Sequence, residues 1–218
     1  LYDQFYFLGD IYFDGENLNG SGDFMTSLFN IQSSHYYYSN SGVVCADANF
    51  IIPNQLKAQE NKLFVKGVSL EYNFDNNSVL IFSNNDQFLF PMLNYLIDYD
   101  IAFFDLNTLE LDFKNENVSN PGSLTSFTYG KDAFLYNAFS TTYNVNNNEI
   151  CVSDGIQLEL KNFWLQPLNN SFCILNNGEF PIFKNATLIK KRWLLKDKLI
   201  NNQNVIVKPN LKHLIVAD

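Results

Sequence analysis

Lys62-Leu63-Phe64-Val65-Lys66-Gly67-Val68-Ser69-Leu70-Glu71-Tyr72-Asn73-Phe74 is followed by Asp75-Asn76-Asn77 and then by Ser78-Val79-Leu80-Ile81-Phe82-Ser83. Phe64, Val68, Leu70, Tyr72 and Phe74 share one parity, and Ser69, Glu71 and Asn73 share the other. A period of two sends successive side chains to opposite faces, so 62–74 reads as a strand with one buried side. Asp75-Asn76-Asn77 has the composition of a hairpin turn, and the apolar run at 78–83 is its partner strand. The pair predicts an antiparallel sheet.

The same alternation spreads outward. In 105–113, Leu109, Leu111 and Phe113 oppose Thr108, Glu110 and Asp112; in 156–161, Ile156, Leu158 and Leu160 oppose Gln157, Glu159 and Lys161. Further strands are expected at 28–31, across Cys45…Ile52-Pro53, at 186–194, at 204–208 and at 213–216. One helix is expected over 84–98. Asn84-Asn85-Asp86 offers N-capping oxygens, and Phe88, Met92, Leu93 and Leu96 lie on one helical face, with Pro91 starting or kinking it. Residues 8–23, rich in glycine, read as an irregular arm, and 115–148 as an irregular insert whose aromatics face another surface. No internal repeat and no heptad pattern is evident. The expected organisation is one all-β domain over 1–218 with one flanking helix. An arm to about residue 23, the 115–148 insert and a C-terminal extension over 197–218 complete it.

Composition limits the chemistry. With 46% hydrophobic and 17% charged residues in 218, the chain is globular and long enough for one well-buried core. Aromatics reach 16%, which favours strands and packed interfaces. The net charge of −9 argues against a surface that grips phosphate. Eight of the 14 basic residues lie in 184–218 against two acids, so that segment is +6 and the rest −15. Opposed charges on one chain suit head-to-tail association of copies.

No catalytic constellation emerges. His35 and His213 are far apart in the chain, and nothing marks either as a base held by an orienting group. No nucleophile elbow, dinucleotide fingerprint, P-loop, zinc-protease or EF-hand spacing occurs. Asp98 and Asp100 flank Tyr99 but fall on different faces, and Trp164 and Trp193 sit in apolar strand contexts suited to core anchors. Cys45, Cys151 and Cys173 are widely spaced with no CxxC, so buried free thiols are expected ahead of a single disulfide. Five Asn-x-Ser/Thr triplets, at Asn19, Asn76, Asn117, Asn169 and Asn185, are ascribed mostly to the abundance of asparagine. No run approaches the roughly 20 apolar residues of a membrane helix, and no signal-peptide pattern is read over the opening residues.

Four pieces, taken in order, carry a family likeness: Asp23-Phe24…Leu28-Phe29-Asn30-Ile31; Cys45…Ile52-Pro53; residues 65–98; and Leu160-Lys161-Asn162-Phe163-Trp164…Phe183…Arg192-Trp193. Their order and spacing resemble the tail tube protein of contractile-tailed bacteriophages and, more distantly, tube proteins of contractile injection systems. The resemblance implies two packed antiparallel sheets, a β-sandwich or barrel, in a non-enzymatic virion protein without cofactor, metal or membrane anchor. It is expected to assemble in the host cytoplasm as stacked, hexameric rings that meet other tail or baseplate proteins and pass DNA transiently. Glu71, Asn73, Glu110, Asp112 and Glu159, the polar parities, are the expected lumen-facing residues. Gln55, Lys57, Gln59, Phe127, Tyr129, Phe134 and Tyr136 are the expected inter-subunit contacts. Three alternatives stand beside this reading: a receptor- or glycan-binding β-sandwich; another virion protein of baseplate, tail-terminator or capsid type; and a hydrolase using Asp98 and Asp100.

Overall fold

The computed structural model describes residues 5–57, 60–127, 135–155, 158–159, 163–190, 198–208 and 213–217. Among them the chain is antiparallel β-sheet with turns and one 3-10 turn, Leu168–Asn170. The strands are β1 Tyr6–Asp14, β2 Asn17–Met25, β3 Asn30–Tyr38, β4 Gly42–Pro53, β5 Asn61–Asn73, β6 Ser78–Phe82, β7 Phe88–Phe90, β8 Tyr95–Asp98, β9 Ile101–Asp105 and β10 Glu110–Lys114. They continue with β11 Gly122–Ser126, β12 Leu135–Asn144, β13 Glu149–Gly155, β14 Leu158–Glu159, β15 Phe163–Gln166, β16 Phe172–Ile174, β17 Phe183–Lys190, β18 Lys198–Lys208 and β19 His213–Ala217.

A 14-stranded sheet runs β1-β2-β3-β4-β5-β6-β9-β10-β12; β12 also pairs with β13, and β13 with β16. β12 is long enough to hold β10 along its second half and β11 along its first. From β11 the pairing returns through β8 and β7 to β5, by Phe64 opposite Leu89. β5 and β12 are thus shared by both arms of a closed circuit. A 5-stranded sheet, β14-β15-β17-β18-β19, holds the expected C-terminal extension as paired strands.

The 62–83 hairpin is present as β5 and β6, with Asn73 opposite Ser78. Other expectations are corrected. The 84–98 segment is a hairpin, β7 and β8, not a helix. Asn84 and Asn85 take positive φ of 51° and 73° and form a turn instead of capping one, and Pro91 and Asn94 (φ 62°) turn the chain again. Phe88, Phe90, Tyr95 and Ile97 are all buried, a period of two hidden inside what also fits a helical stripe. Residues 105–113 are not one strand; they turn at 106–109 between β9 and β10. The 8–23 arm is the β1–β2 hairpin, drawn close where Gly9 lies opposite Gly22 and an added Cβ on either would strike the other strand's backbone. The 115–148 insert contains β11 and β12.

A repeat is also present. Tyr72-Asn73-Phe74, Phe104-Asp105-Leu106 and Tyr143-Asn144-Val145 each open a hairpin tip in the same way. The aromatic is buried, and the Asx Oδ1 accepts from a backbone N–H of the turn: Asn76 at 2.9 Å, Asn107 at 2.8 Å and Asn147 at 3.0 Å. The sixth residue of each, Asn77, Leu109 or Asn148, is left-handed, at φ 51°, 59° and 51°. Neighbouring tips interlock, with Leu106 N–H donating to Asn77 O (3.1 Å) and Val145 N–H to Leu109 O (2.9 Å).

Packed rings fill the interior. Phe29 meets Phe50 at 5.4 Å, Tyr72 at 5.4 Å and Phe104 at 6.4 Å between centroids, and Phe90 meets Tyr143 edge-on at 4.7 Å. The two sheets share this core through Phe172, whose ring lies 5.3 Å from that of Phe183.

Candidate functional site: an acidic sheet face and an open edge

Cross-strand partners point to the same side of a sheet, so register gives its faces directly. One unbroken row runs Tyr12, Asn19, Tyr37, Val44, Glu71, Leu80, Phe103, Asp112, Thr142, Cys151 and Cys173. The adjacent row on that face runs Gly42, Asn73, Ser78, Asp105, Glu110, Asn144 and Glu149. Glu71 and Glu110 are exposed, and Asn73 and Asp112 are half-buried. Four of the expected lumen residues therefore share one face, and register adds Asp105 and Glu149, which parity read one strand at a time does not find. Among the described residues no ion pair involves these carboxylates; Asn144 Nδ2 donates to Glu110 Oε1 at 3.1 Å. Lys114 stands at the far end of the same strand parity. Glu159 lies on β14, in the other sheet, opposite Trp164, and so does not join the face.

The second feature is β1. Its residues are almost all exposed, among them Leu8 at 67% and Phe13 at 71%, with Tyr6, Ile11 and Tyr12 also open. One margin pairs with β2. Among the described residues the outer margin from Phe7 to Asp14 pairs with no strand, and its mostly apolar side chains make it a template for another strand. Tyr37 and Val44, exposed on the same row as Tyr12, extend the apolar patch toward Glu71.

The expected inter-subunit residues separate. Gln55 is exposed and donates from Nε2 to Ser27 O (2.9 Å), and Lys57 pairs with Glu60 at 3.2 Å. Phe127 is exposed. Tyr136 is corrected: it is 1% exposed, with its ring 4.9 Å from Phe172 and its hydroxyl against Gly155, where an added Cβ would overlap it. Gln59, Tyr129 and Phe134 lie outside the described residues, as does Trp193.

The catalytic candidates do not converge. Asp98 lines a solvent-open groove of about 390 Å³ with Asp86 and Lys66, and accepts from Gln87 Nε2 at 3.3 Å. Asp100 lines another groove with Glu116, and its Oδ2 accepts from the Glu116 N–H at 2.9 Å. His35 is exposed beside the Ser34 hydroxyl, at 2.8 Å. Trp164 is half-buried on β15.

The cysteines depart from expectation. Cys151 and Cys173, directly opposite on β13 and β16, form a disulfide. Spacing alone did not reveal it, because the pairing of β13 with β16 skips two intervening strands. Glu149 lies within reach of both sulfurs, but a disulfide has no thiolate to offer a metal. Cys45 is free and buried, and burial pushes its thiol up to about 12. Burial likewise raises the phenols of Tyr38 and Tyr136 to about 12. These groups are held neutral by packing and are poorly suited to catalysis at neutral pH. Compared with protein-family models and with curated proteins, the chain matches none.

Proposed function

We propose that this protein is a non-catalytic structural subunit that assembles with its own copies by strand addition at β1. The observation that carries the reading is the exposed run Leu8, Ile11, Tyr12 and Phe13 on β1, an edge strand among the described residues, continuous through register with an acidic sheet face. A neighbour's strand on that margin removes Leu8, Ile11 and Phe13 from water and satisfies backbone groups in one step. The tube of the family that the sequence resembles is the specific form we propose. In a ring built this way the Glu71–Asp105–Glu110–Asp112–Glu149 face lines the bore, and its charge keeps phosphate from sticking as DNA slides past. A sandwich or barrel built on the shared strands β5 and β12 is the matching architecture. Negative-stain electron microscopy of the purified protein tests this, with rings or short tubes expected. A uniform monomer at high concentration contradicts it.

Cys151–Cys173 favours a second reading, a receptor- or glycan-binding module outside the cell. Disulfides persist in oxidising compartments and are rare in the cytosol, so this bond speaks for the module and against a tube that matures in the cytoplasm. Glycan-array binding by a strictly monomeric protein is the outcome that favours the module.

A further inference from the structure

The five Asn-x-Ser/Thr triplets are not equivalent in three dimensions. Asn19 is buried in β2 between β1 and β3. Asn76 is exposed, but the Ser78 hydroxyl residue of its triplet is buried. Asn185 is exposed at a bulge of β17, but Thr187 of its triplet is half-buried and paired with Gln166. Asn169-Asn170-Ser171 spans the 3-10 turn; Asn169 and Ser171 are exposed, but Asn170 is half-buried and its Oδ1 accepts from Gln166 Nε2 at 2.9 Å. Asn117-Val118-Ser119 differs from all four. All three residues are exposed, Val118 at 82%, in the loop between β10 and β11. The Asn117 Oδ1 accepts from the Ser119 N–H at 3.0 Å, which draws the acceptor amide and the hydroxyl residue together and leaves Nδ2 for reaction. The loop is also fixed at its base. Asn115 Nδ2 donates to Asn120 O (3.1 Å), Asn120 N–H to Asn117 O (2.9 Å), and Glu116 N–H to Asp100 Oδ2 (2.9 Å).

A second observation is independent of the triplet. The Cys151–Cys173 disulfide belongs to the oxidising route on which N-linked glycans are added. Together these point to a modification site: we propose that Asn117 carries an N-linked glycan. The donor is a lipid-pyrophosphate-linked oligosaccharide brought by a membrane-bound oligosaccharyl transferase. Asn117 Nδ2 forms a bond to the anomeric carbon as that carbon's bond to the phosphate oxygen breaks. The lipid pyrophosphate leaves with the bonding pair, and one amide proton passes to a base of the transferase. Nothing is oxidised or reduced.

The site rests on the second reading above, a module matured outside the reducing cytoplasm, and not on the tube, which assembles in the host cytoplasm. The loop leaves β10 from its Lys114 end, opposite Glu110, and β10 is remote from β1 in strand order, so a glycan here leaves the β1 margin free.

The test uses protein purified from its own cells and treated with peptide-N-glycosidase in heavy-oxygen water before peptide mapping. The expected result is Asn117 recovered as heavy-oxygen aspartate, with the Asn19 peptide unmodified and the Cys151 and Cys173 peptides still linked without reductant. Ser119→Ala, expressed in the same cells, removes the label at Asn117 and leaves the circular dichroism spectrum unchanged. An Asn117 peptide recovered as plain asparagine from the mature protein overturns the proposal. So does a label that survives Ser119→Ala.

Discussion

At the scale of single residues, Asn148 illustrates what the hairpin tips demand. It is buried, it is left-handed at φ 51°, and its Oδ1 accepts from the Tyr143 hydroxyl at 2.8 Å. Asn148→Ala removes that acceptor, strands a buried hydroxyl and puts a Cβ residue without Asn's tolerance at positive φ. The expected loss is about 2 to 3 kcal/mol, read from urea denaturation. Tyr99 gives a milder case: its hydroxyl donates to Ala138 O (2.8 Å) beside Thr141 Oγ1 (2.9 Å), and Tyr99→Phe is expected to cost about 1 kcal/mol. Cys45 sets a pH limit. Burial raises its thiol from 9.0 to about 12, so the folded state favours the protonated form. Its contribution is fully present below pH 9.0 and is lost as pH rises toward about 12, where Tyr38 and Tyr136 add losses of the same sign. Stability measured by denaturation across this range is expected to fall steadily, and Cys45→Ala is expected to flatten its lower part.

At the scale of elements, the Cys151–Cys173 bond closes a 22-residue separation and ties β16, three residues long, to the edge of β13. The double variant Cys151→Ser/Cys173→Ser is expected to lose about 3 kcal/mol, seen as a lower thermal midpoint that matches reduced wild type. What the sequence made legible follows from locality. The β5–β6 hairpin was readable because alternation and turn chemistry agree within about 20 residues. The 84–98 hairpin was not, because Phe88, Met92, Leu93 and Leu96 satisfy a helical period while Phe88, Phe90, Tyr95 and Ile97 satisfy a strand period. The left-handed Asn84, Asn85 and Asn94 decide between them. The tip repeat escaped because its signal is sparse, an aromatic followed by Asx three times at unequal spacing, and it becomes plain only when Leu106 and Val145 bond to the preceding tips. The acidic face was half legible. Parity picked out Glu71, Asn73, Glu110 and Asp112, but only register could add Asp105 and Glu149 and exclude Glu159.

At the scale of the whole molecule, one long sheet has a buried middle and an unburied beginning. β4 and β5 alternate buried with open positions on either side of a bulge, whereas β1 past Phe7 is exposed on both faces and is an edge strand among the described residues. Soluble proteins usually blunt such an edge with charge, proline or a bulge. Here Leu8, Ile11, Tyr12 and Phe13 outweigh Asp10 and Asp14, and a second copy is the proposed occupant, meeting them with its own β1 or β16, which are edge strands among the described residues. Light scattering coupled to size-exclusion chromatography, over a range of protein concentrations, tests this claim most directly when wild type is compared with Leu8→Lys/Ile11→Lys. Both side chains are exposed, so the variant is expected to keep the wild-type thermal midpoint and elute as a monomer, while wild type assembles. A wild-type protein that stays monomeric throughout, or a variant that assembles as wild type does, contradicts it.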